Sequence, residues 1–235
     1  MPFVITQPRR GVRAALALAG ATVALALGAG PAAAATLPYD DDADVVVAPA
    51  VTTDATALPA APSTNVCTPA SLSKPFRFWG DGNDYTLVPG GDMEDGAPGW
   101  TLGGGAELVD GNNFFRVGDR SDHTALRLRA GASALSAPVC IDATYSSFRF
   151  FARAASLRSD LKVEVIWWES GASHVDTLRL DSWTDLLWSP VAPIALPSEH
   201  LSGDTLEPVQ FRFTVTGKSG AWLVDDLYVD PFSRG

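Results

Sequence analysis

The chain has 235 residues, 17 of them basic and 27 acidic, which gives a net charge of −10 at neutral pH. Because so acidic a surface repels phosphates, we expect neither nucleic acid nor an anionic membrane as a partner. The length allows one sizeable core after terminal segments are set aside.

The first 35 residues are typical of a secretory signal peptide. Three arginines within residues 9–13 precede the apolar stretch 14–28, and a run of small residues ends at Ala35, where we expect cleavage. The apolar stretch is shorter than the about 20 residues that a membrane-spanning helix needs. We therefore expect a secreted, extracellular protein without membrane insertion, exported by either the general or the twin-arginine route.

The next segment, residues 36–65, is rich in Ala, Pro, Thr and Asp and shows no sustained hydrophobic period. Such a composition buries too little apolar surface to form a core of its own, so we expect a disordered leader. The remaining residues, 66–235, then form one domain.

From residue 66 onward, short apolar runs alternate with clusters of Gly, Asp, Asn and Pro, and no stretch keeps a helical period for three turns. Residues 209–216 alternate strictly between apolar and polar side chains, as a strand with one buried face does. The candidate strands are residues 85–89, 100–102, 107–109, 114–117, 125–130, 132–137, 147–154, 161–169, 173–180, 186–189, 209–216 and 222–229. Strands joined without helices predict an all-β, two-sheet antiparallel β-sandwich.

The domain contains two cysteines, Cys67 and Cys140. In an exported chain we favour an intramolecular disulfide, which would stabilise the fold by about 4 kcal/mol in the chain-entropy treatment. An intermolecular bridge or two free thiols remain as alternatives.

The last predicted strand carries two adjacent acids, Asp225 and Asp226, within an apolar run. Side chains alternate along a strand, so one of the two carboxylates points the same way as the apolar residues. A carboxylate facing a core is costly unless a cation, an arginine or several donors meet it. A bound ion, an arginine partner and backbone N–H groups at a β-bulge are all open as solutions.

Both ends of the domain resemble jelly-roll carbohydrate-binding modules and related galactose-binding-like domains. Those begin with Asn-Gly-Asp/Ser-Phe-Glu, a Gly-rich turn and a Trp, and they end with an apolar-Asp-Asp/Asn-Val strand. The matching residues are Gly91, Asp92, Met93, Glu94 and Trp100 at the start, and Val224, Asp225, Asp226 and Leu227 at the end. Gly90 and Met93 replace the usual Asn and Phe. The chain is also similar to small secreted proteins of GC-rich bacteria such as actinobacteria.

The resemblance implies a jelly-roll fold in which the first and last strands lie side by side. It also implies a structural Ca²⁺ between them, for which clustered carboxylates are suitable ligands. The residues that would hold it are Asp92, Glu94, Asp225 and Asp226. Its role would be stability rather than catalysis.

Seven tryptophans suggest a surface on which sugar rings stack. The candidate ligand-binding residues are Trp167, Trp168, Trp183, Trp188 and Tyr228, each of which can instead fill the core or its rim. Three other tryptophans, Trp79, Trp100 and Trp222, are assigned to packing.

The sequence carries no motif for a catalytic serine, a catalytic zinc or a phosphate loop, so we do not expect an enzyme. We expect a non-catalytic module that binds a glycan or a cell-envelope polymer. An extracellular structural or protein-interaction domain is the alternative, and a hydrolase with a cryptic carboxylate pair is a third possibility. The oligomeric state is left open.

Overall fold

The computed structural model describes residues 57–62, 67, 71–156, 159–181, 186–197, 200–201, 203 and 205–230. The predicted signal peptide, most of the predicted leader and Trp183 lie outside these residues. No helix within the described ranges is long and apolar enough to cross a membrane.

Fourteen strands run through the described part of the chain. They are β1 (Leu72–Ser73), β2 (Tyr85–Leu87), β3 (Thr101–Gly103), β4 (Glu107–Asp110), β5 (Thr124–Arg129), β6 (Ser133–Leu135), β7 (Val139–Ile141), β8 (Ser147–Ala154), β9 (Asp160–Glu169), β10 (Ala172–Asp181), β11 (Ser189–Pro190), β12 (Ile194–Ala195), β13 (Glu207–Thr216) and β14 (Ala221–Asp230). Two short 3-10 turns lie at Arg77–Trp79 and Glu94–Gly96.

The strands form two antiparallel sheets. In the eight-stranded sheet, the central strand β14 pairs with β2, β5 and β8. Strand β1 pairs with the outer side of β2, and β4 pairs with the outer side of β5. The short strands β11 and β12 both pair with β8. The six-stranded sheet has the order β10-β9-β13-β6-β3, and β7 also pairs with β13. The predicted all-β, two-sheet antiparallel jelly-roll β-sandwich is therefore confirmed.

The main core lies between the sheets, where the alternation predicted for residues 209–216 is observed. Phe211 and Phe213 of β13 are fully buried, and their rings contact Phe148 and Phe150 of β8 at centroid distances of 4.8 and 5.1 Å. Each such ring contributes about 1.5–3 kcal/mol when it leaves water. The packing role predicted for Trp222 is confirmed, because this residue is fully buried in the same core.

A second apolar cluster lies on the opposite face of the eight-stranded sheet. Phe151 and Tyr228 point into it, and Phe76, from the segment before β2, covers both at ring distances of 5.6 and 5.8 Å. The central strand β14 is thus buried on both faces, which explains why its apolar run shows no simple alternation.

Two predicted strands are wrong. Of residues 186–189, only Ser189 lies in a strand, β11. Residues 114–117 form turns instead, because the side-chain oxygen of Asn113 accepts hydrogen bonds from the backbone N–H groups of Phe115 and Arg116. An asparagine that bonds the backbone two and three residues ahead favours a turn over a strand.

The predicted disulfide is confirmed. Cys67 and Cys140 are bonded, with their Cα atoms 5.3 Å apart and a sequence separation of 73. The bridge attaches the segment before β1 to β7 of the six-stranded sheet.

Candidate functional site

The two neighbouring acids of β14 lie at a β-bulge. The register against β8 shifts between Asp225 and Tyr228, and Asp226 has a left-handed backbone with φ of 53°. A bulge breaks the alternation of side chains. Both carboxylates are consequently buried, at 1% exposure each, and they meet the same partner instead of pointing to opposite faces.

That partner is Asn113, which is fully buried. Its backbone N–H and its side-chain amide donate to Oδ2 of Asp225 at 3.0 and 2.8 Å, and the same amide donates to Oδ2 of Asp226 at 2.7 Å. Of the solutions left open by the sequence, a backbone N–H donor at a bulge is the one observed. The side-chain amide adds a second donor that the sequence did not indicate.

Each aspartate keeps one oxygen without a hydrogen-bond partner among the described residues, namely Oδ1 of Asp225 and Oδ1 of Asp226. Burial raises the pKa of Asp226 to about 7, and the negative charges of Asp122, Asp92 and Glu94 add to this effect. Burial and the adjacent carboxylate of Asp226 raise the pKa of Asp225 well above its usual range. The pair therefore favours either a proton or a bound cation.

The acids converge around Gly118. A methyl group placed on this glycine would lie 2.9 Å from Oδ2 of Asp122, 3.5 Å from Oδ1 of Asp226 and 3.7 Å from the hydroxyl of Tyr228. Burial, followed by the charges of the neighbouring acids, raises the pKa of Asp122. Three oxygens therefore lie near the position that a side chain here would take, and one of them, Oδ2 of Asp122, already accepts a hydrogen bond from the backbone N–H of Asp119 at 2.7 Å.

The other two predicted metal ligands are occupied by local hydrogen bonds. Oε1 of Glu94 accepts from the backbone N–H groups of His123 and Thr124 at 2.8 and 2.6 Å. Oδ1 of Asp92 accepts from the backbone N–H of Glu94 at 3.4 Å, and burial raises the pKa of Asp92. Both acids contribute negative charge to the surroundings of Asp226.

Within the part of the chain that the structure describes, no group of three or more His, Cys, Asp and Glu side chains is arranged to hold a metal ion. The donor chemistry nevertheless fits a hard cation, because Ca²⁺ takes carboxylate, carbonyl and water oxygens. The unpartnered oxygen of Asp226 and the space beside Gly118 are where such an ion would fit.

An aromatic surface with two exposed rings lies beside the loop that carries Asn113. We call it the aromatic patch and define it as Phe78, Trp79, Phe114 and Phe115. Phe78 is 83% exposed and Phe114 is 65% exposed. The rings contact one another in a chain: Phe78 to Trp79 at 5.2 Å, Trp79 to Phe115 at 4.6 Å, and Phe115 to Phe114 at 4.3 Å.

A cavity of about 370 Å³ adjoins the patch, with Phe114 in its wall. Its other lining residues are mostly polar: Asp110, Gly111, Asn112, Asn113, Arg116 and His123. The amide nitrogen of Asn112 is buried and has no hydrogen-bond partner among the described residues. Ligand sites commonly have this size, with a few polar groups beside apolar walls.

The predicted stacking residues lie elsewhere. Trp167 and Trp188 are 5% and 6% exposed, and Tyr228 is 2% exposed, which agrees with the packing alternative. The sugar-stacking role of these three residues stays a prediction, and their burial argues against it. Trp168 is partly exposed and points away from the core, while Trp183 lies outside the described residues.

Among the comparisons with known proteins, only the one with solved structures finds similar proteins. No family model matches the chain, and no curated protein matches it. One similar structure is TmCBM61 in complex with β-1,4-galactotriose, with 15% identity, a TM-score of 0.40, and coverage of 69% of this chain and 98% of that one.

Two further similar structures are a family 16 carbohydrate-binding module and a xylan-binding family 22 module from Paenibacillus barcinonensis Xyn10C. The family 16 module has 14% identity and a TM-score of 0.42, covering 61% of this chain and 99% of its own. The family 22 module has 14% identity and a TM-score of 0.41, covering 65% and 97%.

Proposed function

We propose that this chain is a secreted, non-catalytic glycan-binding module whose ligand binds at the aromatic patch and the adjoining polar cavity. The observation that carries the proposal is the exposure of Phe78 and Phe114 beside a cavity rich in hydrogen-bonding groups. Large apolar side chains so open to water indicate a contact surface.

A sugar ring matches this combination of surfaces. Its C–H faces are apolar and pack on aromatic rings, while its hydroxyls both donate and accept hydrogen bonds. Next to Phe114, the cavity is lined by the carboxylate of Asp110, the guanidinium of Arg116 and the amide of Asn112, whose nitrogen has no hydrogen-bond partner among the described residues. A purely apolar partner would leave these groups unpaired, which is costly.

The burial of the acid pair supports a non-catalytic role. Asp225 and Asp226 have strongly raised pKa values, as catalytic acids often do. Both are 1% exposed, however, so a substrate cannot reach their carboxyl groups without unfolding the bulge. The disulfide supports export, because such bonds persist in oxidising compartments.

A structural Ca²⁺ beside Gly118 belongs to the same proposal, with Asp122 and Asp226 as direct ligands. Asp92, Glu94 and Asp225 supply further negative charge around it. Ca²⁺ at one hundred times its Kd would stabilise the fold by about 2.7 kcal/mol. The variant Gly118→Ala fills the space and should abolish the rise in melting temperature on adding Ca²⁺, whereas Gly82→Ala, with no neighbour within 4 Å of the added methyl, should keep it. Equal rises in both variants would argue against this site.

The glycan proposal is tested by an array of polysaccharides and cell-wall polymers probed with the full chain, with and without chelator. We expect retention on at least one polymer, lost in Phe78→Ala and Phe114→Ala and kept in Leu187→Ala, which alters another exposed side chain. Leu187 is 75% exposed and lies outside the patch. Failure to bind any polymer, together with Phe78-dependent capture of a protein, would favour the protein-interaction alternative.

A further inference from the structure

A second cavity, of about 480 Å³, lies where β14 begins, at the ends of β5 and β8. We call it the arginine cavity, because Arg127 and Arg129 line it together with the hydroxyl-bearing Ser156 and Ser219. Among the described residues, no acidic side chain belongs to its lining. A ligand in this cavity would therefore meet cationic and hydroxyl groups.

The two guanidinium groups of the arginine cavity share a single carboxylate. Oε1 of Glu107 accepts from Nε of Arg127 and Nε of Arg129 at 2.7 and 3.3 Å, and their Nη2 atoms lie 2.6 and 3.2 Å from the same oxygen. Two positive charges against one negative charge leave the cluster with a net charge of +1. Among the described residues, neither Nη1 atom makes a hydrogen bond, so both are available to a ligand.

Two serine hydroxyls converge on Gly220 in the wall of the cavity. The Oγ atoms of Ser156 and Ser159 are buried and have no hydrogen-bond partner among the described residues, and Ser159 as a whole is 3% exposed. A methyl group on Gly220 would overlap the hydroxyl of Ser156 and would lie 2.7 Å from that of Ser159. Buried hydroxyls without a partner are costly, and an acceptor in the cavity would remove part of that cost at Ser156.

A third arginine adds to the positive charge on this side of the sheet. Leu223 of β14 is paired with Arg127 on one side and with Arg153 on the other. Directly paired residues of neighbouring strands point to the same face. The Nε atom of Arg153 is buried and has no partner among the described residues. Three guanidinium groups on one face stand out in a chain whose net charge is −10.

We propose that the arginine cavity binds a phosphate or sulfate group, held by Arg127, Arg129 and Ser156. Such an oxyanion carries the negative charge that this cluster lacks, and its several oxygens accept from guanidinium and hydroxyl donors at once. A neutral ligand would leave the excess positive charge unmatched. The cavity has the size that small organic ligands occupy, so the group can be a free ion or part of an ester. This proposal does not rest on the glycan site.

The test is isothermal titration of the full chain with three probes: inorganic phosphate, inorganic sulfate and glycerol 3-phosphate. Chloride keeps the ionic strength constant, because salt screens exposed charges. We expect saturable binding of at least one probe. Tighter binding of glycerol 3-phosphate than of inorganic phosphate would identify an ester as the ligand, and tighter binding of an inorganic ion would identify the free anion.

Variants of the cavity locate the bound group. Arg129→Met and Ser156→Ala should each weaken binding by about tenfold, the effect of one hydrogen bond to a charged group. Arg129→Lys keeps the charge but loses the planar fork, so its Kd should lie between those of Arg129→Met and the unmodified chain. Arg179→Met removes one positive charge from an exposed position in β10 and should leave the Kd unchanged. Phe78→Ala should also leave it unchanged.

Three results would overturn the proposal. The first is the absence of saturable binding of all three probes. The second is equal weakening by Arg129→Met and Arg179→Met, which would mean that the anion responds to net charge alone. The third is an unchanged Kd in both Arg129→Met and Ser156→Ala, which would place the anion elsewhere. Equal melting temperatures of the variants without ligand would show that the changes in Kd do not come from unfolding.

Discussion

Asn113 binds Asp225 through two nitrogens, its backbone N–H at 3.0 Å and its side-chain amide at 2.8 Å, across 112 residues of sequence. The loop that carries the polar cavity and half of the aromatic patch is thereby fixed to the central strand of the eight-stranded sheet. Stability of the acid pair and geometry of the proposed ligand site are therefore coupled.

Replacing Asn113 with Ala should lower the free energy of unfolding by about 3 kcal/mol, because two buried carboxylates lose their shared donor. Denaturant titration measures this change. Asn83→Ala is the matched control: the amide of Asn83 makes a single bond to Asp230 at 3.2 Å, so we expect a loss of about 1 kcal/mol. Equal losses would mean that Asn113 is an ordinary turn residue.

The raised pKa of Asp226 predicts that stability falls as pH rises when chelator is present. At pH 4 the unfolded state has already lost about half of this proton, because the ordinary pKa of aspartate is 3.8, whereas the folded state keeps it; up to about pH 7 the folded state holds the proton more tightly. The free energy of unfolding should drop by roughly 3 kcal/mol across this window. Calorimetry at several pH values measures it.

Asp226→Asn is the variant that isolates this titration, because asparagine is neutral and tolerates the left-handed backbone at this position. The fall in stability between pH 4 and 7 should lose the share that belongs to Asp226 in Asp226→Asn, while the buried Asp225 retains its own share. The exposed Asp176→Asn control should retain the full fall. Parallel curves for Asp226→Asn and the unmodified chain would contradict the assignment.

Arg149 of β8 binds the segment between β1 and β2, which carries Phe78 and Trp79 of the aromatic patch. Its guanidinium lies 4.2 Å from the ring centre of Phe76 and 2.9 Å from Asp81, and both ion-pair partners are about nine-tenths buried. Burial would raise the pKa of Asp81, but hydrogen bonds from Tyr85, Asn83 and Arg149 lower it below the ordinary value.

Arg149→Met should therefore cost about 3–5 kcal/mol of stability, since it leaves a buried carboxylate with fewer donors. It should also weaken glycan retention, because Phe78 and Trp79 lie in the same segment, between Phe76 and Asp81, both of which Arg149 contacts. Arg129→Met, which breaks an exposed pair with Glu107, should change stability by less than about 1 kcal/mol and retention not at all. Thermal unfolding and the polymer array report the two effects.

Reducing the Cys67–Cys140 disulfide should lower the free energy of unfolding by about 4 kcal/mol, given the sequence separation of 73 between the cysteines. Unfolding in denaturant with and without reductant measures the loss. The Cys67→Ser, Cys140→Ser double variant should behave as the reduced protein does and should not respond to reductant. A response in the double variant would show that reductant acts elsewhere.

The alternation of residues 209–216 and the two end motifs were sufficient to predict the sandwich and the meeting of its first and last strands. The bonds from Leu227 to Gly91 and from Val88 to Leu227 confirm that meeting. Two of the acids predicted to lie there, Asp92 and Glu94, help to raise the pKa of a third, Asp226. Local patterns predict such features because burial imposes a period of two on a strand.

The same reasoning could not predict which residues lie against those acids. Asn113, Asp122 and Gly118 belong to a loop whose position depends on contacts with distant residues of β14. A turn made by an asparagine side chain looked like a strand because two phenylalanines follow it. A hydrophobic pattern assigns phenylalanines such as Phe78 and Phe114 to the core. Nothing in the neighbouring sequence indicates that the fold leaves these two side chains exposed to solvent.

Isothermal titration with an oligosaccharide from a polymer that the chain retains tests the central claim most directly. The Phe78→Ala, Phe114→Ala double variant should bind it at least tenfold more weakly, a loss of about 1.4 kcal/mol, with an unchanged melting temperature. An identical Kd for the double variant and the unmodified chain would show that the aromatic patch is not the ligand site.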